Sequence, residues 1–228
     1  MRRSQSTATG LLATLPARSV NFDVERLDEL ARRSDWNVDD YAQLLPPELP
    51  GAPLAGGSWE IACRLSREYV FADPRLVRAM YHYDLPLEGR DIVLEARFSG
   101  LTFLLAVRAA QVEDESTAID GRPVRRSAWS YRTLEGHLER GQMDYEVRKW
   151  LDTGEVEFRI HVVSRAAKIP DLVTRWGFLV FGRRLQVRFA KRSARRMRAL
   201  VEAELGRGPH PRGARDAAGR VRRVIVAA

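Results

Sequence analysis

The chain has 228 residues, 45% of them hydrophobic and 30% charged, which is enough apolar material for one well-buried core and is read as a single main domain. One cysteine, Cys63, excludes an internal disulfide framework; with no second thiol or histidine cluster at ligand spacing, neither a metal nor a cofactor is expected, and a reducing, cytoplasmic setting is. The formal charge of +8 and pI near 10.2 are concentrated at one end, because fourteen basic against three acidic residues from Arg183 onward leave everything before them mildly acidic at −3.

The basic residues other than Lys149, Lys168 and Lys191 are all arginine, a bias that a GC-rich genome produces without phosphate binding and that disfavours a nucleic-acid partner. The most apolar windows, Leu101 to Val107 and Trp176 to Phe181, fall far short of the roughly 20 residues that span a bilayer.

Residues 1–22 contain no h-region long enough for an export signal and read as a disordered leader, or as a start codon placed too early. Residues 23–55 follow as a short helix and a connector: Asp23 caps a run with Val24, Leu27, Leu30 and Ala31 at helical spacing, and Leu45 to Pro53 is too rich in proline for helix or central strand. The main α+β domain is placed at 56–206. Ser58 is read as the N-cap of a helix with Ile61, Ala62, Leu65 and Tyr69 on one face, and Asp73-Pro74 as the start of another carrying Leu76, Val77, Met80 and Tyr81.

From Asp91 the period changes to two. Ile92 to Phe98, Leu101 to Ala110, Val124 to Thr133, Met143 to Val147 and Val156 to Val162 read as an antiparallel β-meander, with a polar loop before Gly121 and turns at Ser99-Gly100 and Leu151 to Gly154. Pro170 then opens a long helix to about Leu205, with a kink or break expected at Gly177 or Gly182. Residues 207–228 read as a basic, disordered tail. A meander packed on a long C-terminal helix suggests the helix-grip layout of START/Bet v 1-like folds, which often encloses a cavity, although the strand expected before the helices is not evident.

The most distinctive segment is Trp129 to Gln142, a strand end and loop crowded with aromatics, a histidine and carboxylates. Tyr131, Thr133, Leu134, Gly136, His137, Glu139 and Gly141, with Ser164-Arg165 after the next strand, resemble the signature Tyr-x-Thr-Leu-x-Gly-His-x-Glu-x-Gly-Glu of an uncharacterised family of bacterial and plant proteins. The resemblance runs from about Gly56 to Val201, and Gln142 departs from it where the family carries Glu. It implies no established reaction. A plant relative described as a chloroplast outer-envelope protein implies at most membrane association.

Three functional readings arise. In the leading one, a small apolar or amphiphilic molecule is held without catalysis between sheet and helix, touched by Arg126, Trp129 and Tyr131. In the second, Tyr131, His137 and Glu139 form an acid–base set, against which stands the reading that the glycines set turns and His137 and Glu139 satisfy backbone groups. In the third, Trp176, Phe178 and Phe181 with Arg183 and Arg184 place the terminal helix on an anionic membrane surface, against which stands a core helix with a solvated basic face. His161 is read as a cross-strand charge partner.

Overall fold

The computed structural model describes residues 2–98, 100–167, 172–207 and 221–223, with side chains at 7–97, 100–167 and 183–207. Its centre is one antiparallel sheet in the order β1-β7-β6-β5-β4-β3-β2-β8. The strands are β1 (Asn37–Leu45), β2 (Val77–His82), β3 (Asp91–Phe98), β4 (Leu101–Ile119), β5 (Arg122–Thr133), β6 (Glu139–Trp150), β7 (Val156–Ala166) and β8 (Val221–Arg223). The meander is thus β2 to β7, and the missing first strand is β1, which pairs with β7 from Asn37↔Ser164 to Leu45↔Val156. The helices are α1 (Arg2–Thr14), α2 (Leu27–Ala31), α3 (Ser58–Arg67) and α4 (Leu172–Leu205).

The inner face of the sheet meets α3 and α4. Alternate residues of each strand supply it: Ile92 and Leu94, Val107 and Ala109, Trp129 and Tyr131, Tyr145 and Val147, Phe158 and Ile160. Phe189, Ala190, Met197 and Val201 of α4 cover them. Burying side chains of this size contributes roughly 1.5–3 kcal/mol each, which outweighs the weak intrinsic strand preference of several of these segments.

Several expectations are corrected. The segment read as a disordered leader contains α1, whose Ala8 and Leu12, with Leu15 just beyond, pack on Met80, Val93, Ala106 and Leu134 of the outer face. Residues 23–55 hold a strand as well as a helix, and that helix is only Leu27–Ala31. The helix expected after Asp73 is a single turn, with the amides of Leu76 and Val77 donating to the Asp73 carbonyl, and the chain then runs on as β2. Its apolar run suits a strand covered on both faces: Val77, Ala79 and Tyr81 point inward, and Met80 meets α1.

The polar loop before Gly121 is the continuation of β4, shifted in register between Ala110 and Glu113, with Gln111 at φ 47. It ends in the Asp120-Gly121 turn, φ 51 and 76, as a tight hairpin requires. α4 is one helix through Gly177 and Gly182, without the expected break. The tail read as disordered contributes β8, beside β2; its other residues lie outside the described ones.

α3 is not capped by Ser58, which is its first residue; Gly57 is the N-cap and makes no side-chain cap bond. Glu48 of the proline-rich segment takes that role, its Oε1 accepting the Trp59 amide at 2.8 Å and its Oε2 lying 2.6 Å from Lys149 Nζ. The pair is shut away from water, the two side chains being 0% and 3% exposed, and it clamps the connector across β6 and α3.

Candidate functional site

The segment Trp129 to Gln142 crosses from β5 to β6 at the end of the sheet nearest the start of α4. Gly136, at φ 85, turns the chain, and Gly141, at φ 149, lies so close to β7 that a Cβ there would stand 2.0 Å from the Val163 carbonyl oxygen. The Gly141 amide donates to Thr133 Oγ1 at 2.9 Å, and Asn21 Nδ2 donates to the Glu139 carbonyl at 2.9 Å. Leu134 is buried among the α1 contacts. Much of the motif therefore holds backbone in place.

His137 belongs to this scaffold. Its Nδ1 lies 2.9 Å from the Glu139 amide nitrogen and 3.1 Å from the Glu139 carbonyl oxygen, and burial lowers the imidazole to about 4. The side-chain pairing of His137 with Glu139 that an acid–base set requires is not formed.

Glu139 points the other way, inward. Its Oε2 is 3.5 Å from Gln186 Nε2, which also donates to Ser164 Oγ at 2.9 Å, and Arg183 Nη1 donates to Gln186 Oε1 at 2.9 Å. Arg183 is in turn paired with Asp39 of β1. Burial raises the Glu139 carboxyl to about 7, with Arg183 opposing and Asp39 reinforcing the shift. This polar chain ties β1, β6 and β7 to α4.

Tyr131 sits beside it in a cluster of phenols. Tyr69, which ends α3 in the left-handed region at φ 60, turns its ring inward so that its hydroxyl lies 3.1 Å from that of Tyr145. Tyr145 donates to Met143 Sδ at 2.9 Å and Tyr131 to the same sulfur at 3.4 Å. Burial pushes all three phenols above their ordinary value. At neutral pH they are therefore protonated donors, two of them bonded to a thioether, a weak acceptor.

The other candidates separate. Trp129 is packed in the aromatic core, its Nε1 donating to Ser66 Oγ at 3.0 Å. Arg126 is on the opposite face, paired with Glu146 at 2.6 Å and with Glu113 and Glu115, because neighbouring strand residues point to opposite sides; it cannot share an inner site with Trp129 and Tyr131. His161 pairs across strands with Asp40 of β1 at 2.9 Å. The side chains of Trp176, Phe178 and Phe181 lie outside the described residues. Arg183 is held by Asp39, while Arg184 is exposed.

Among the described side chains, the space between the sheet and the later turns of α4 is filled. Phe71, Tyr145, Phe158, Met197 and Val201 are at most 1% exposed, so beside these residues no open space is left between sheet and helix. Phe103 and Leu105 of β4 and Leu185 of α4 are only partly buried where they pack against this core. Sequence reading missed Tyr69, Tyr145, Asp39 and Gln186. The alternation of β6 could have placed Tyr145 on the face of Tyr131, but nothing local marks the others.

Fold and site together define an α+β protein in which an antiparallel sheet packs on a C-terminal helix around buried phenols and a carboxyl. The chain belongs to the family described as "Domain of unknown function (DUF1990)", whose model matches residues 24–196. No curated protein matches it. Among solved structures it is similar to Ara h 8.0201, with 9% identity, a TM-score of 0.42 and coverage of 75% of this chain and 99% of that one. It is similar also to the hypothetical protein jhp0584 from Helicobacter pylori, with 12% identity, a TM-score of 0.40 and coverage of 84% and 96%. A protein of unknown function from Staphylococcus aureus, SA2116, gives 8% identity, a TM-score of 0.39 and coverage of 76% and 99%. Among the described residues no helix is long and apolar enough to cross a membrane, and no cluster of side chains could hold a metal ion.

Proposed function

We propose that the protein binds a small amphiphilic molecule, without transforming it, at the end of a helix-grip fold where the sheet meets the start of α4. The observation that carries this reading is the convergence of the Tyr69, Tyr131 and Tyr145 hydroxyls on one another and on Met143 Sδ. A buried donor spent on sulfur gains by turning to a ligand oxygen, and the exchange leaves no polar group unpaired. The partly buried Phe103, Leu105 and Leu185 would meet the apolar body of such a ligand, and Glu139 its polar head. A neutral Glu139 donates a hydrogen bond, whereas an ionised one repels an anionic head, so this reading favours an uncharged oxygen over a carboxylate as pH rises through about 7.

The test is calorimetric titration with decanamide, decanol and decanoic acid. Binding of the neutral ligands should weaken roughly tenfold in Tyr131→Phe, the usual effect of losing a buried hydrogen bond to a ligand, and decanoic acid should bind more weakly at alkaline pH. No binding by any of the three up to their solubility limits, or unchanged affinity in both Tyr131→Phe and the bulkier Leu185→Trp, sinks the proposal.

A further inference from the structure

Arg184, Arg188, Lys191 and Arg195 recur along α4 at spacings of four, three and four, and all are exposed, so they form one stripe on the side of the helix that faces away from the sheet. Among the described residues none of the four is paired with a carboxylate. Of the other cations in this stretch, Arg183 is paired with Asp39, Arg192 with Asp73 and Arg198 with Glu202, and Arg196 donates to the Val70 carbonyl. Like charges three and four residues apart destabilise the helix that carries them, and interleaved glutamates of the kind seen at Glu202 would relieve this at no cost to packing. A merely solvated face does not require such a stripe.

Between these residues lies an open surface groove of about 470 Å³, bordered among the described residues by Arg183, Arg184, Arg188, Lys191, Arg192 and Arg195, with Val187 as the apolar member. Among the described residues no carboxylate lines it. We propose that this groove is an anion site for a phosphate-bearing group, supplied either by a lipid headgroup or by a soluble phosphate. Planar guanidinium forks from successive turns match phosphate oxygens in pairs, and Lys191 adds a compact charge. The stripe from Arg184 to Arg195 is only about 17 Å long at 1.5 Å per residue, which suits a compact, multiply charged group rather than a polymer. The site is on the far side of α4 from the phenol cluster and does not depend on that reading.

Full-length protein is titrated with inorganic pyrophosphate at low salt and sedimented with vesicles of phosphatidylcholine, with and without phosphatidic acid. Arg188→Gln should weaken binding about tenfold, the double variant Arg188→Gln/Lys191→Gln should weaken it further, and far-UV circular dichroism should be unchanged because both side chains are exposed. Arg198→Gln removes the same charge outside the groove and should leave affinity within about twofold of the parent. Binding to both probes supports the phosphate group as the determinant. Binding to phosphatidic acid vesicles alone, lost in the double variant, assigns the groove to a bilayer headgroup. The proposal is overturned by equal weakening in Arg198→Gln, by failure of both probes at low salt, or by tight duplex DNA binding that the double variant retains.

Discussion

Replacing Glu139 with glutamine should expose two opposed titrations that hide one another in the parent protein. An unfolded glutamate ionises near 4.5, whereas the folded Glu139 keeps its proton to about 7. Its contribution to stability is therefore complete below pH 4.5 and is lost as pH rises to about 7. His137 runs the other way: unfolded it protonates near 6.5, folded it resists to about 4, so its contribution is complete above 6.5 and lost as pH falls to about 4. Between these limits the slopes cancel.

A tenfold change in proton affinity between folded and unfolded chain is worth about 1.4 kcal/mol, which bounds the Glu139 effect at roughly 3 kcal/mol. The side chain is partly exposed, and screening by water reduces the expected figure to about 1–2 kcal/mol. Urea unfolding of parent and Glu139→Gln at about pH 4.5, 6.5 and 8 checks this, the difference between the two proteins cancelling every other titration. The variant should gain about 1–2 kcal/mol on the parent between the acid and alkaline ends, and its own stability should climb as His137 is unmasked. A difference that does not change with pH, or that favours the variant most in acid, would refute the assignment of a Glu139 that holds its proton to about pH 7.

Gly141→Ala should destabilise the fold by about 3 kcal/mol or more in the same denaturation assay, since its Cβ would strike the Val163 carbonyl at 2.0 Å in a backbone conformation that suits glycine. Lys149→Met should cost about 3–5 kcal/mol by leaving Glu48 charged and buried, and Glu48→Gln added to it should recover part of the loss. Cys63, buried and pushed up to about 12, should react with a thiol reagent only on unfolding; fast labelling of native protein would contradict its placement.

Elements whose own residues repeat at the right period are legible in the sequence: β3, the first half of β4, β5, the β6–β7 hairpin, α3 and the long α4. There each residue's burial partner is set by the element's own geometry, so alternation or helical spacing is enough. Tyr131 likewise falls on a core-facing strand, and Gly136 is recognisable as a turn former, whereas Gly141, read the same way, lies within β6 where β7 leaves no room for a Cβ.

What only the tertiary structure decided are the features whose stabilisation comes from distant chain. β1 is poor in strand-forming residues and exists because β7 supplies its ladder and Arg183 its partner for Asp39. β2 has a helix-like pattern because it is covered on both faces, on the outer one by α1. The far half of β4 is polar on both sides, yet it is held as a strand by pairing of Glu113, Asp114 and Glu115 with arginines of β5. At the site, His137 and Glu139 are two residues apart, and which would meet the other's side chain depended on backbone direction; the chain turns one to its neighbour's amide and the other toward Gln186. Sequence periodicity reports which way a residue faces within its own element, but the partner that waits there is set by contacts more than a hundred residues away, as between Asp39 and Arg183.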